Sequence, residues 1–328
     1  MPKQKQKGFK LPSLALFQYI VVVLFLVLGL GTSKNGTYLI KNKHLTVTVN
    51  AKGAELTSLK STATGKEFLW QGDSRTWKDQ APILFPIVGK LKRDTYRIAN
   101  KEHTLKPHGF AKDEFFKRIY WDTDSLVMRL TSNTRTLKAY PFQFELEIAY
   151  KLEDSKLKTY FNVKNKGKVK MPFSIGFHPG FRYLGEEGHA ISELYFDFGS
   201  DKPLERYYLE NGLQASKKTM LHLRNGRLYL SDSLFSNRAL VFKHADIHTV
   251  LFGSRNPSEQ ILVDVCDAPY FALWSWPFKR SNFVCIEPWW GLPDSLDSSQ
   301  NLFEKEGIEL LRPKEQRSGM FSIKITTQ

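Results

Sequence analysis

Three short stretches carry the side chains best suited to chemistry. Ser174-Ile175-Gly176-Phe177-His178-Pro179-Gly180-Phe181 sets one imidazole in a run of small and apolar residues. Lys106-Pro107-His108-Gly109-Phe110-Ala111-Lys112-Asp113 holds a second imidazole. Phe283-Val284-Cys285-Ile286-Glu287-Pro288-Trp289-Trp290-Gly291 holds a carboxylate against indoles. Each places a titratable group beside Pro and Gly, residues that turn the backbone or let it approach closely. Apolar surroundings disfavour the charged form, so they hold His178 near neutrality and raise the pKa of Glu287. That tuning suits a general acid and a general base. We therefore expect His108, His178 and Glu287, far apart in sequence, to meet in one pocket. The competing reading at each position is structural: a core histidine, or a carboxylate in a salt bridge.

Other residues fit the same pocket less specifically. In Phe85-Pro86-Ile87-Val88-Gly89-Lys90-Leu91 a glycine precedes a cation whose three donors suit a hydroxyl-rich or anionic ligand. It reads equally as a solvated lysine at a strand end. Trp274, Trp276, Trp289 and Trp290 could pack their ring faces on sugar C–H groups, or simply fill the core. Two imidazoles and a carboxylate could also hold a metal, but no local ligand spacing points that way, so neither metal nor cofactor is expected. No Gly-x-Ser-x-Gly elbow and no glycine-rich phosphate loop is found. Cys266 and Cys285 lie in apolar runs and read as buried free thiols.

The elements that must position these groups are strands. His44–Asn50 and Glu55–Lys60 alternate with a period of two, as do Ser125–Leu130, Phe142–Tyr150 and Leu157–Val163. Glu153-Asp154-Ser155 reads as a hairpin turn, and Ala239–Lys243 and Gln260–Val265 continue the theme. The best helical candidate, Asn301–Gly307, is a turn or two long. No repeat or linker divides the chain, so the expectation is an all-β protein, one large antiparallel β-sandwich over residues 36–328. Such a sandwich can present a concave face on which distant segments converge.

The formal net charge is +15, but the lysines are scattered, which indicates a solvated basic surface and no nucleic-acid partner. Lys3, Lys5, Lys7 and Lys10 precede an apolar run from Leu14 to Leu30, with Gly29-Leu30-Gly31 as a small-x-small site. Residues 1–35 thus read as a signal peptide or as a membrane anchor through residues 14–30, placing the protein at the membrane or outside the cell. A mis-assigned start, with a cytoplasmic protein, is the other reading.

At these motifs the sequence resembles the aldose 1-epimerase (galactose mutarotase-like) family, and within it the LacX-like branch. Ala81–Leu91, His108–Asp113, Phe173–Phe181 and Ile286–Asp294 carry the likeness, in order, across most of Thr37 to Ser322. The resemblance implies the galactose mutarotase-like supersandwich and interconversion of α and β sugar anomers without a cofactor. It implies Glu287 as the base at the anomeric hydroxyl, His178 as the acid at the ring oxygen, and His108 as a hydrogen-bond partner of the sugar. Lys90, Asp232 and Trp289 would contact substrate. The chain departs from the family pattern at Lys90 and Lys112, where arginine is usual, and at Asn237 and Arg238, where acids are common. Two alternatives use the same fold. One is a non-catalytic carbohydrate-binding or sensing domain. The other is a hexose-phosphate epimerase, which requires basic residues clustered at the pocket mouth.

Overall fold

Leu45–Asn50 buries every second residue, and Phe144–Glu153 and Lys156–Asn165 do nearly the same, as the period of two requires. The hairpin between the last two closes at Asp154, whose φ of +50° lies in the left-handed region that aspartate tolerates in turns. The computed structural model describes residues 36–183, 191–231, 233–236, 239–243, 246–255, 259–265, 267–276 and 282–327. Lys34–Gln328 forms one unit. The segment read as a signal or anchor lies outside the described residues, as do Cys266, Asn237 and Arg238. Among the described residues, no helix is long and apolar enough to cross a membrane.

Two large antiparallel sheets dominate. One has nine strands, with Gln316–Thr327 and Lys156–Asn165 adjacent near its middle. The other has eight, numbered here along the chain: β1 (Ile83–Leu84), β2 (Ile175–Phe177), β3 (Gly180–Arg182), β4 (Leu204–Glu210), β5 (Leu213–Leu221), β6 (Leu240–Lys243), β7 (Tyr270–Trp274) and β8 (Phe283–Trp290). Their order is β5-β4-β6-β7-β8-β2-β1, with β3 also paired to β8. The sheets meet through aromatic rings. Phe161 of the nine-stranded sheet lies 4.8 Å from Trp290, and Phe321 lies 4.7 Å from Phe177. Trp290 is therefore core, which removes it from the residues that could stack on a sugar.

β8 is buried along its whole length because both of its faces are covered. Alternation sends Val284, Ile286 and Trp290 into the core between the sheets. Cys285, Glu287 and Trp289 point to the opposite face. That face belongs to the candidate site. Among the described residues helix is scarce, as expected. Asn301 caps a single 3-10 turn, Leu302–Glu304. One short α-helix, Thr134–Ala139, escapes the sequence reading; Asn133 caps it by accepting from the Arg135 and Thr136 N–H groups.

Candidate active site

The site starts from a register. Gly176 on β2 pairs with Trp289 on β8, and Gly180 on β3 pairs with Cys285, both in one frame. Midway between these pairs, His178 stands opposite Glu287. The ladder lapses at His178-Pro179, where proline has no N–H to donate, and the His178 N–H donates to the Pro82 carbonyl at 3.2 Å. His178 Nε2 comes within 3.2 Å of Glu287 Oε2. The approach is off the hydrogen-bonding direction, and Oε2 has no hydrogen-bond partner. His178 is 8% exposed and Glu287 1%.

Both glycines beside His178 make room for indoles. A Cβ on Gly176 would sit 2.9 Å from the Trp289 ring, and one on Gly180 would sit 2.6 Å from Trp77. Trp77 covers the His178 ring at 4.9 Å, and Trp274 meets it edge-on at 5.5 Å. The two indoles also contact each other, at 5.5 Å and 84°. Both are partly exposed, so they form the pocket wall. Trp77 packs on Phe283, and Trp70 on the other side of this group donates its indole N–H to the Trp77 carbonyl.

His108 arrives from a loop bound to the Phe85–Gly89 segment. Its N–H donates to the Gly89 carbonyl at 2.8 Å, and its own carbonyl accepts from the Phe85 N–H. The φ of His108 is +67°, a strained value for a residue with a Cβ, of the kind functional sites retain. Gly109, at φ +73°, follows because a Cβ there would strike the Phe85 carbonyl at 2.2 Å. The Gly89 N–H donates to His108 Nδ1 at 3.3 Å. With Nδ1 accepting, the neutral ring carries its proton on Nε2 and is a donor. The His108 and His178 rings lie 5.7 Å apart, nearly perpendicular.

Burial sets the electrostatics. It pushes the Glu287 carboxyl well above the usual carboxylate range, opposed by an indole contact from Trp289. It pushes His178 well below the usual imidazole range, with His108 and Lys112 adding to the effect. His108 is held down to about 4, again mainly by burial. The favoured resting pair is thus a neutral acid facing a neutral imidazole. Moving one proton from Oε2 to Nε2 turns it into a carboxylate and an imidazolium without changing the charge of the pocket.

The structure thus brings His108, His178 and Glu287 together. Lys90 follows Gly89, and its stem runs past Gly212; its ammonium has no carboxylate partner among the described residues. Trp289 faces the same side as Glu287 but is 3% exposed, a floor against Leu84, Val88 and Val241. Asp232 lies outside the described residues. Trp77 was missed by sequence reasoning. The available signal was a large aromatic in an otherwise polar turn, Gln71-Gly72-Asp73-Ser74-Arg75-Thr76-Trp77-Lys78. Also missed was a buried brace. Pro293 seats against Gly89, the Asp294 N–H donates to the Lys90 carbonyl, and Asp294 accepts from the Lys92 N–H. Lys305, 3.5 Å from Asp294 and bonded to the Leu292 carbonyl, anchors that loop and is pushed down to about 8 by burial.

Comparison with known proteins agrees with this architecture. The family described as aldose 1-epimerase matches residues 36–323. The chromosomal and plasmid LacX proteins of Lactococcus lactis subsp. lactis are each 33% identical over 295 residues, 87% of this chain and 98% of theirs. A solved galactose mutarotase related enzyme from Lactobacillus acidophilus is similar at TM-score 0.85 and 33% identity, covering 89% of this chain and 97% of its own. A galactose mutarotase-like protein from Lactobacillus casei is similar at TM-score 0.83 and 27% identity, covering 89% and 100%.

Proposed function

Because the chain belongs to the aldose 1-epimerase family, we propose that it interconverts the α and β anomers of a hexose, with Glu287 as base and His178 as acid. The observation that carries this is the 3.2 Å approach of Nε2 and Oε2 inside an indole-walled pocket. The hydroxyl oxygen O1 and ring oxygen O5 of a pyranose share one carbon, so a base and an acid at this spacing match them.

The Glu287 carboxylate takes the proton of O1 while the His178 imidazolium gives its proton to O5. The C1–O5 bond breaks, C1=O1 forms, and the open aldehyde rotates about C1–C2. In closing, O5 attacks the other face of C1, returns its proton to His178, and O1 regains a proton from Glu287. The pocket ends as it began. His108 Nε2–H and the Lys90 ammonium donate to sugar oxygens, and the Trp77 and Trp274 rings pack on C–H groups. General acid–base catalysis contributes roughly 10²–10⁴-fold, which suffices for a reaction that already proceeds in water.

A neutral sugar suits the site better than a phosphorylated one. Lys112, Lys243 and Lys305 are already neutralised by Asp79 at 2.8 Å, Glu306 at 2.7 Å and Asp294 at 3.5 Å. Lys90 is left as the available cation of these. The decisive measurement is the decay of optical rotation of fresh α-glucose and α-galactose with purified protein. Decay no faster than in buffer across several aldoses, with binding intact, would overturn the reading in favour of a sensing domain. Stronger competition by glucose 6-phosphate than by glucose would favour the sugar-phosphate alternative. The basic and then apolar character of residues 1–35, which precede the matched region, supports export or anchoring; the mass of the natural N-terminus tests that.

A further inference from the structure

We infer that Cys285, His178 and Glu287 form a binding site for a divalent transition cation of the zinc type, and that this cation inhibits the enzyme by occupying its acid–base pair. The ligand atoms of the three residues all lie within 4.8 Å of one another, and all three residues are buried. The register explains why. Cys285 and Glu287 share a face of β8, and the frame that pairs Gly180 with Cys285 sets His178 opposite Glu287.

The geometry suits tetrahedral zinc. Bonds of about 2.0–2.1 Å to nitrogen and oxygen place those two ligand atoms roughly 3.3 Å apart. His178 Nε2 and Glu287 Oε2 already stand at 3.2 Å. Only the thiol has to close in, by about 1 Å given a longer bond to sulfur. A mixed S/N/O donor set favours zinc or cobalt over magnesium or calcium, which take oxygen ligands. The fourth position of the tetrahedron is left for water, beside the Trp77, Trp274 and His108 rings that surround His178.

Charge balance also favours the ion. Cys285 ligates as the thiolate, Glu287 as the carboxylate and His178 as the neutral base, with the displaced protons released to solvent. The dication plus thiolate plus carboxylate sums to zero, a state a buried site tolerates. Sugar and metal enter by one route and exclude each other.

The inhibition rests on the mutarotase reading; the binding does not. The full chain, stripped with EDTA, is titrated with cobalt(II) chloride. The expected result is a near-ultraviolet thiolate-to-cobalt band that saturates at one equivalent, is displaced by zinc, and is absent from Cys285→Ala. Zinc at one equivalent should slow α-galactose mutarotation at least tenfold, reversibly with EDTA, and Cys285→Ala should turn over normally with at least tenfold weaker zinc inhibition. No band in the unmodified protein, or a band that persists in Cys285→Ala, overturns the proposal. If circular dichroism shows Cys285→Ala unfolded, Cys285→Ser replaces it, and a band persisting in that folded variant overturns the proposal. A band without turnover of any sugar leaves the metal site standing and removes the mutarotase reading; turnover without a band does the reverse.

Discussion

His178 Nε2 lies 3.2 Å from Glu287 Oε2 because the glycines on either side of His178 pair with Cys285 and Trp289 in one strand register. Glu287 lies within a strand, and His178 lies in the two-residue gap between two strands paired to it, so the ladder on either side fixes the pair. Each partner is replaceable without disturbing that ladder, which makes the chemistry directly testable.

Glu287→Gln keeps shape and burial but removes the base. Mutarotation of α-galactose should fall at least ~100-fold, the usual contribution of a positioned general base. Polarimetry checks this, with circular dichroism showing the fold intact. Near-normal turnover would show that Glu287 is not the base.

On the proposed mechanism the His178–Glu287 pair works with one shared proton. Acid adds a second proton when pH falls through the lowered pKa of His178; alkali removes the last when pH rises through the raised pKa of Glu287. Burial drives these limits apart, so kcat/KM should be flat across neutrality and fall only at both extremes. A sharp optimum near the ordinary histidine pKa of 6.5 would contradict the burial seen here.

Trp77→Ala removes the wall over His178. An aromatic contact of this kind is worth about 1 kcal/mol, so KM for the hexose should rise roughly fivefold, with a smaller change in kcat. Steady-state polarimetry over a range of sugar concentrations separates the two.

Gly109→Ala forces a Cβ into the Phe85 carbonyl at a backbone angle that side chains avoid. Stability to urea should drop by at least about 1–3 kcal/mol, and turnover should fall further as His108 is displaced. A fully stable variant would show that the loop has another way to close.

Lys305 titrates differently in the two states. The unfolded chain keeps its lysine proton to about 10.5 and the folded chain only to about 8, because burial opposes the charge. Between those values the unfolded state binds more protons, so this group makes stability rise with pH. Lys305→Met should lose that rise and also strip Asp294 of its buried partner, at a cost of about 3–5 kcal/mol. Urea denaturation at pH 7 and pH 10 measures both effects.

Much of this molecule is legible in its sequence, for identifiable reasons. The period of two in Leu45–Asn50 and Phe144–Glu153 states which residues are buried, since each strand buries one face. The Pro and Gly flanks of His108, His178 and Glu287 mark them because close backbone approach needs those residues. The short helix Thr134–Ala139 has no apolar stripe to announce it; a cap at Asn133 supports it instead. Trp77 gives little local sign of function, since what makes it a wall is the space left by Gly180.

By itself, then, the sequence determined the all-β class, the motif order and the types of the titratable residues that meet in the candidate site. These follow from local periodicity and from the chemistry of single side chains. Only the tertiary structure decided which residues face one another. Register is a property of two strands at once, and a shift of one residue would send Glu287 into the core and Ile286 into the pocket. The 3.2 Å approach to Glu287, the Gly89 bond that places the His108 proton on Nε2, and the thiol of Cys285 beside the pair all depend on that pairing.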